Sequence, residues 1–292
     1  MDGKPDSNGN PRLDPAPAAL SKATLWPFGI SVLLPGVVIL AVLLFSPVGR
    51  TLIGSLANLS RPPRDIDDRL VEFAHGARNR WRSRFEPLGA IYAPRSITLV
   101  ALKQERIIEV YVRLRPQSDT VPAEWAFVAS FPILGASGTA GPKLREGDRQ
   151  VPEGIYRVES LNPNSRFHAA LRLDYPNEFD REMASRDGRA GRSTALGGDI
   201  MIHGGDQSIG CIAIGDHAIE EIFTLAADTG IEHVQVVVAP WDLRSRPAPD
   251  PGSLDPIAAS WSPELYRAIE RALAPLPGPS ARELKRKRKP AE

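Results

Sequence analysis

Apolar and polar positions change period several times along the chain, and each change marks an element. From Leu25 to Phe45 the run LWPFGISVLLPGVVILAVLLF is almost wholly apolar, and no charged residue lies between Lys22 and Arg50. A bilayer span needs about 20 such residues, so residues 23–49 predict one transmembrane helix, with Pro35 tolerated as a kink. Residues 1–22 before it hold too little apolar surface for a core and predict a disordered polar tail. A cleaved leader is the alternative, with Ser55-Leu56-Ala57 as a cut site, but the length of the run favours an uncleaved anchor. Lys4, Arg12 and Lys22 precede the span and Arg50, Arg61 and Arg64 follow it, so the positive charges fix no orientation.

After a short stiff linker, RPPRD, the apolar residues Ile66, Leu70, Phe73, Ala77, Trp81 and Phe85 recur at steps of three and four. That is one stripe of an amphipathic helix within residues 61–88, and its use is packing. From about residue 96 the period becomes two. SITLVALKQERIIEVYVRL reads as two strands around a Lys103–Arg106 turn, followed by the strands WAFVASFPIL, GIYRVESL, FHAALRLDY, DIMIHG and EHVQVVVAP. A helix from Ala218 to about Asp228 separates the last two, with Ile219, Ile222, Phe223 and Ala226 on one face. Residues 95–245 therefore predict a mainly β domain with a few helices. Residues 246–292 read as a Pro-rich linker, a short helix SPELYRAIERALAPL and a basic tail, ARELKRKRKPAE.

Composition narrows the function. The 292 residues carry 36 Lys+Arg against 35 Asp+Glu, so there is no global basic field and no nucleic-acid partner is expected. The single cysteine, Cys211, excludes an intrachain disulfide. Most free cysteines are small buried hydrophobes, and the surroundings of this one argue otherwise. In GGDIMIHGGDQSIGCIAIGD, residues 197–216, an apolar strand delivers His203, two glycines follow, and Ser208-Ile209-Gly210-Cys211 leads into a second apolar piece. A thiolate is the nucleophile of thiol chemistry, and a histidine in reach can take its proton and return it to a leaving amine. Gly210 and Cys211 are natural backbone donors to an oxyanion, and Ser208 is placed to orient the imidazole or bond the substrate. A zinc site of His203, Cys211, Asp216 and His217 matches no usual ligand spacing, so no metal or cofactor is expected. His75 and His233 read as structural.

The segment resembles the YkuD-type L,D-transpeptidases, whose site reads I-H-G, a spacer, then S-H-G-C. Here it is Ile202-His203-Gly204 and Ser208-Ile209-Gly210-Cys211, with a short spacer and Ile209 in place of the second histidine. Both departures are similar to the YafK-like branch. So is GPKLREGDRQVPEGIYRVESLNPNSRFHAALRLDYPNEFD, residues 141–180. The resemblance covers residues 95–240. It implies a β-sandwich catalytic domain acting on peptidoglycan stem peptides, with Cys211 as nucleophile and His203 as base. Arg145, Glu146, Asp148 and Arg149 are then candidates to clamp the charged ends of a stem peptide. Together with the anchor, it implies a single-pass inner-membrane protein with its catalytic domain in the periplasm. The reaction that the resemblance implies is transpeptidation through a thioester on the L-centre of diaminopimelate; hydrolysis of the same thioester, for example releasing a wall-linked protein lysine, is the alternative, and a non-catalytic peptidoglycan-binding role a third.

Overall fold

The computed structural model describes residues 63–115, 124–189 and 196–278. The anchor expected over 23–49, the polar tail before it and the basic C-terminal run lie outside these residues. Among the described residues no helix is long and apolar enough to cross a membrane.

Among the described residues eight strands form one sheet: β1 (Ile97–Leu102), β2 (Ile107–Arg113), β3 (Trp125–Pro132), β4 (Gly154–Asn162), β5 (Ala170–Leu173), β6 (Met201–His203), β7 (Ile212–Ala213) and β8 (Val234–Ala239). Their order is β3-β2-β1-β8-β4-β5-β6-β7. The mainly β expectation stands, but the two-sheet sandwich becomes a single curled sheet. β4 explains the difference: its first half pairs with β8 and its second half with β5, with a register shift between Val158 and Ser160. The sheet bends there, and its outer strands touch. Just past β3, Gly135 bridges Ala213 of β7, with Ala213 N–H donating to Gly135 O at 2.8 Å.

β1 and β8 run parallel at the centre, Ile97 opposite Val234 and Leu102 opposite Ala239. Both read as continuous apolar runs, as strands covered on two faces do. Ile97, Leu99, Ala101, Val236 and Val238 face one core, which holds Trp81, Phe85, Ile222 and Phe223. Val100, Leu102, Val237 and Ala239 face the other. Helix α1 (Ile66–Phe85) covers the first face together with α3 (Asp216–Thr229). Asp65 begins α1 with a capping box, accepting from Asp68 N at 2.8 Å while Asp65 N donates to Asp68 Oδ2 at 3.0 Å. The stripe is buried from Phe73 to Phe85, and Trp81 Nε1 donates to Glu221 O at 2.8 Å. Between β5 and β6 lies α2 (Glu178–Arg186), which period alone did not reveal.

The second face shows where the short helix read in the C-terminal region packs. Helix α4 (Ser262–Leu273) places Leu265, Tyr266, Ile269 and Leu273 on Val100, Leu102 and Val237, and Ala258 and Trp261 join them. Residues 254–276 are thus part of the folded body, because an apolar sheet face left open would expose its whole width to water.

Candidate active site

His203 ends β6, and β7 runs parallel beside it with Ile202 opposite Ile212 and His203 opposite Ala213. One residue back along that register, Cys211 stands opposite Met201. Side chains alternate along a strand, so His203 and Cys211 share a face as diagonal neighbours, while Ile202 and Ile212 point into the core.

The turn after His203 fixes its tautomer. Its Nδ1 lies 2.6 Å from Gly204 O. A carbonyl only accepts, so Nδ1 carries the proton and Nε2 presents a lone pair. Asp216, in the first turn of α3, holds the turn by accepting from Gly205 N at 2.8 Å. Gly204 has to be glycine, because a Cβ there would meet Asp216 Oδ1 at 2.5 Å and Phe167 O at 2.6 Å. Phe167 stacks on the imidazole, ring centroids 4.6 Å apart, and leaves His203 only 3% exposed. Burial lowers the imidazole pKa, against the opposing pull of the Gly204 hydrogen bond.

Cys211 is half-buried, and its thiol donates to Asp199 O at 3.5 Å. Burial raises the thiol pKa; the Met201 N–H bonded to sulfur and the Lys143 ammonium pull it down in part, and the Asp199 charge pushes it further up. The resting pair is therefore a neutral thiol and a neutral imidazole. Alkylation of Cys211 by iodoacetamide should accelerate continuously as pH rises past neutrality, with an inflection above that of a free cysteine. A rate already at its plateau in mildly acidic buffer would show a thiolate–imidazolium pair instead.

Three of the sequence candidates have surroundings that the sequence did not show. The Gly210 N–H donates to Ser137 Oγ at 2.8 Å, so it is occupied rather than aimed at an oxyanion. The glycine itself is required by its φ of 90°. Ser208 Oγ is buried without a hydrogen-bond partner among the described residues, and Gly204, not Ser208, orients the imidazole. Asp148 is turned inward. It accepts from Lys143 Nζ at 2.6 Å, Leu144 N at 2.9 Å, and Arg145 N and Gln150 N at 3.0 Å each. Burial alone would raise its pKa, but these bonds outweigh it and the carboxyl is held below its ordinary range. Asp148 closes its own loop and has no capacity left for a ligand. Arg145, Glu146 and Arg149 remain exposed on that loop, which packs Glu146 against Gly197. Phe167, Asp199 and Ser137 were not singled out in the sequence. Phe167 sat inside a stretch read as strand, whereas β5 begins only at Ala170.

Residues 99–238 match the family model of the L,D-transpeptidase catalytic domain, YkuD. The chain carries a YkuD domain. It is 36% identical over 144 residues to "Putative L,D-transpeptidase YafK" of Escherichia coli K12, and equally to the protein of that name in strain O157:H7. The match covers 48% of this chain and 52% of each relative, so the chain spans about half the length of the curated relatives it matches. Among solved structures, the helical cell shape determining protein Pgp2 of Campylobacter jejuni is 21% identical, with a TM-score of 0.38 over 52% of this chain and 50% of that one. Bd1075 of Bdellovibrio bacteriovorus is 17% identical, with a TM-score of 0.33 over the same shares.

Proposed function

We infer that this chain is a cysteine-dependent acyltransferase acting on peptidoglycan stem peptides. The observation that carries the reading is the pair itself: an imidazole with its Nε2 lone pair free of the backbone at the end of β6, and a thiol one residue before β7, diagonal neighbours by the register of two parallel strands in a YkuD domain. The Cys211 thiol leaves Asp199 O and passes its proton to His203 Nε2 as sulfur attacks the carbonyl on the L-centre of diaminopimelate. The tetrahedral intermediate collapses to a thioester, and the imidazolium returns the proton to the leaving amine. An acceptor amine then attacks the thioester, loses a proton to His203 and forms the new amide, releasing the thiol. Stacking on Phe167 shields the imidazole from water.

The substrate places the working domain outside the cytoplasmic membrane, and residues 23–49 supply a tether there in this proposal. Incubation of the full chain with purified muropeptides, followed by mass spectrometry, tests it. The expected product is a new amide formed with loss of the terminal residue. Product bearing only water in place of that residue would make the protein a hydrolase, and no product from any muropeptide would remove the acyl-transfer reading.

A further inference from the structure

Beside the thiol lies a charged cluster that the acyl-transfer steps leave unused. Arg172 on β5 stands opposite Met201 on β6, in the row that continues to Cys211 on the far side of β6. Its Nε lies 2.7 Å from Glu159 Oε2 and its Nη1 2.6 Å from Asp199 Oδ1. Two irregularities bring these carboxylates to it. The register of β4 against β5 shifts between Val158 and Ser160, and the extra residue is Glu159, a bulge that turns its side chain onto the face of Arg172. Asp199 has a φ of 56°, a left-handed conformation that aspartate tolerates better than most residues. In it the carboxylate meets Arg172 while the backbone carbonyl accepts the Cys211 thiol. One residue thus touches both the guanidinium and the nucleophile.

The fold does not account for this cluster. Side-chain exposure is 40% for Arg172, 53% for Glu159 and 73% for Asp199, and ion pairs so open to water contribute little to stability. A guanidinium flanked by two carboxylates is instead the complement of a group bearing both a carboxylate and an ammonium. The incoming carboxylate takes remaining N–H donors of the arginine, which carries about five. The ammonium would fit between Glu159 and Asp199.

We propose that Arg172, Glu159 and Asp199 form a subsite for a free α-amino acid centre. Resting on the acyl-transfer reading, that centre is the D-end of the donor's diaminopimelate. Its two α-carbons are separated by about 5 Å of extended carbon chain. β5 lies two strand spacings, about 9.5 Å, from the line of β7. The arginine side chain spans that gap from one side and the diaminopimelate from the other. No bond is made or broken at the cluster; it selects the donor and sets its carbonyl at the sulfur.

The test separates binding from turnover. Full-length Cys211→Ala protein is titrated calorimetrically with L-Ala-γ-D-Glu-meso-diaminopimelate and with the same peptide amidated at the D-centre carboxylate. The free form should bind at least about tenfold more tightly, the share of a charge-assisted contact. Adding Arg172→Gln should abolish that preference with the melting temperature unchanged, and Arg172→Lys should restore part of it. Glu159→Gln provides an independent variant should Arg172→Gln fail to fold: it should weaken the free amine form and not a peptide N-acetylated at the D-centre. Equal affinity for the free and amidated peptides, a preference that survives Arg172→Gln, or no binding of either peptide would overturn the subsite. Preferential binding by the Cys211→Ala protein with no turnover by the unaltered chain would sink the acyl-transfer reading and leave the subsite in place.

Discussion

Cys211→Ala should leave the protein folded and abolish the turnover on muropeptides proposed above. In the proposed mechanism the thioester forms on the single cysteine of the chain, so its removal should cost at least about 10⁴-fold, as loss of a covalent nucleophile does elsewhere. Cys211→Ser should be almost as damaged, because His203, its basicity reduced by burial, is a weak base for a hydroxyl. His203→Ala should separate from both. The thiol survives and should still alkylate, with its own raised pKa, while turnover falls. The side chain of Cys211 is half-buried rather than packed in the core, so the alanine variant should keep its melting temperature within a few degrees. A Cys211→Ala protein that is unstable, or one that still makes product, would return the cysteine to a structural role.

The second large effect is on stability, at Glu153. This carboxylate is fully buried. It accepts from Lys103 Nζ at 2.9 Å and Gly141 N at 2.9 Å through one oxygen, and from Tyr266 OH at 2.7 Å through the other. It therefore ties together the turn after β1, the loop that leads to Asp148, and α4. Burial lowers the Lys103 pKa, and Glu153 is the main force opposing that. Glu153→Ala leaves an ammonium buried without its partner, which costs about 3–5 kcal/mol. In a domain of this size that corresponds to a melting temperature lower by roughly 10 °C or more. The double variant Lys103→Met, Glu153→Gln should recover much of the loss, since no charge is then stranded. Undiminished stability in Glu153→Ala alone would mean that water reaches Lys103 and that the network is dispensable.

These two residues also show what the sequence discloses. The strands were legible because their apolar residues alternate or run on without a break, and the Cys211–His203 pair was legible because glycines crowd it. The block around Asp148 was harder. Its pattern marks a built loop, but a run of charged letters does not say which of them turns inward. Asp148 and Glu153 do, on Lys143 and Lys103, while Arg145, Glu146 and Arg149 do not. The bulge at Glu159 and the left-handed Asp199 leave no trace in any period, since each is a single-residue departure set by distant partners. Helix α4 reads as a helix in the sequence, and its packing against the sheet could have been read as well. ITLVAL and VQVVVA are apolar at nearly every position, and a strand buried on both faces demands a second cover.

The position of β8 has a consequence for how this protein comes to be made. The strand that completes the middle of the sheet lies near the end of the described chain, pairing Val234 with Ile97 on one side and Val238 with Gly154 on the other. Neither half can be sealed until residues past 234 have left the ribosome, and the second face waits longer still, for α4. Nascent chains thus carry an open, apolar β1 edge through most of their synthesis, and such non-local, partly parallel pairing is slow to form. During that interval the chain is a natural client for chaperones that bind extended apolar segments.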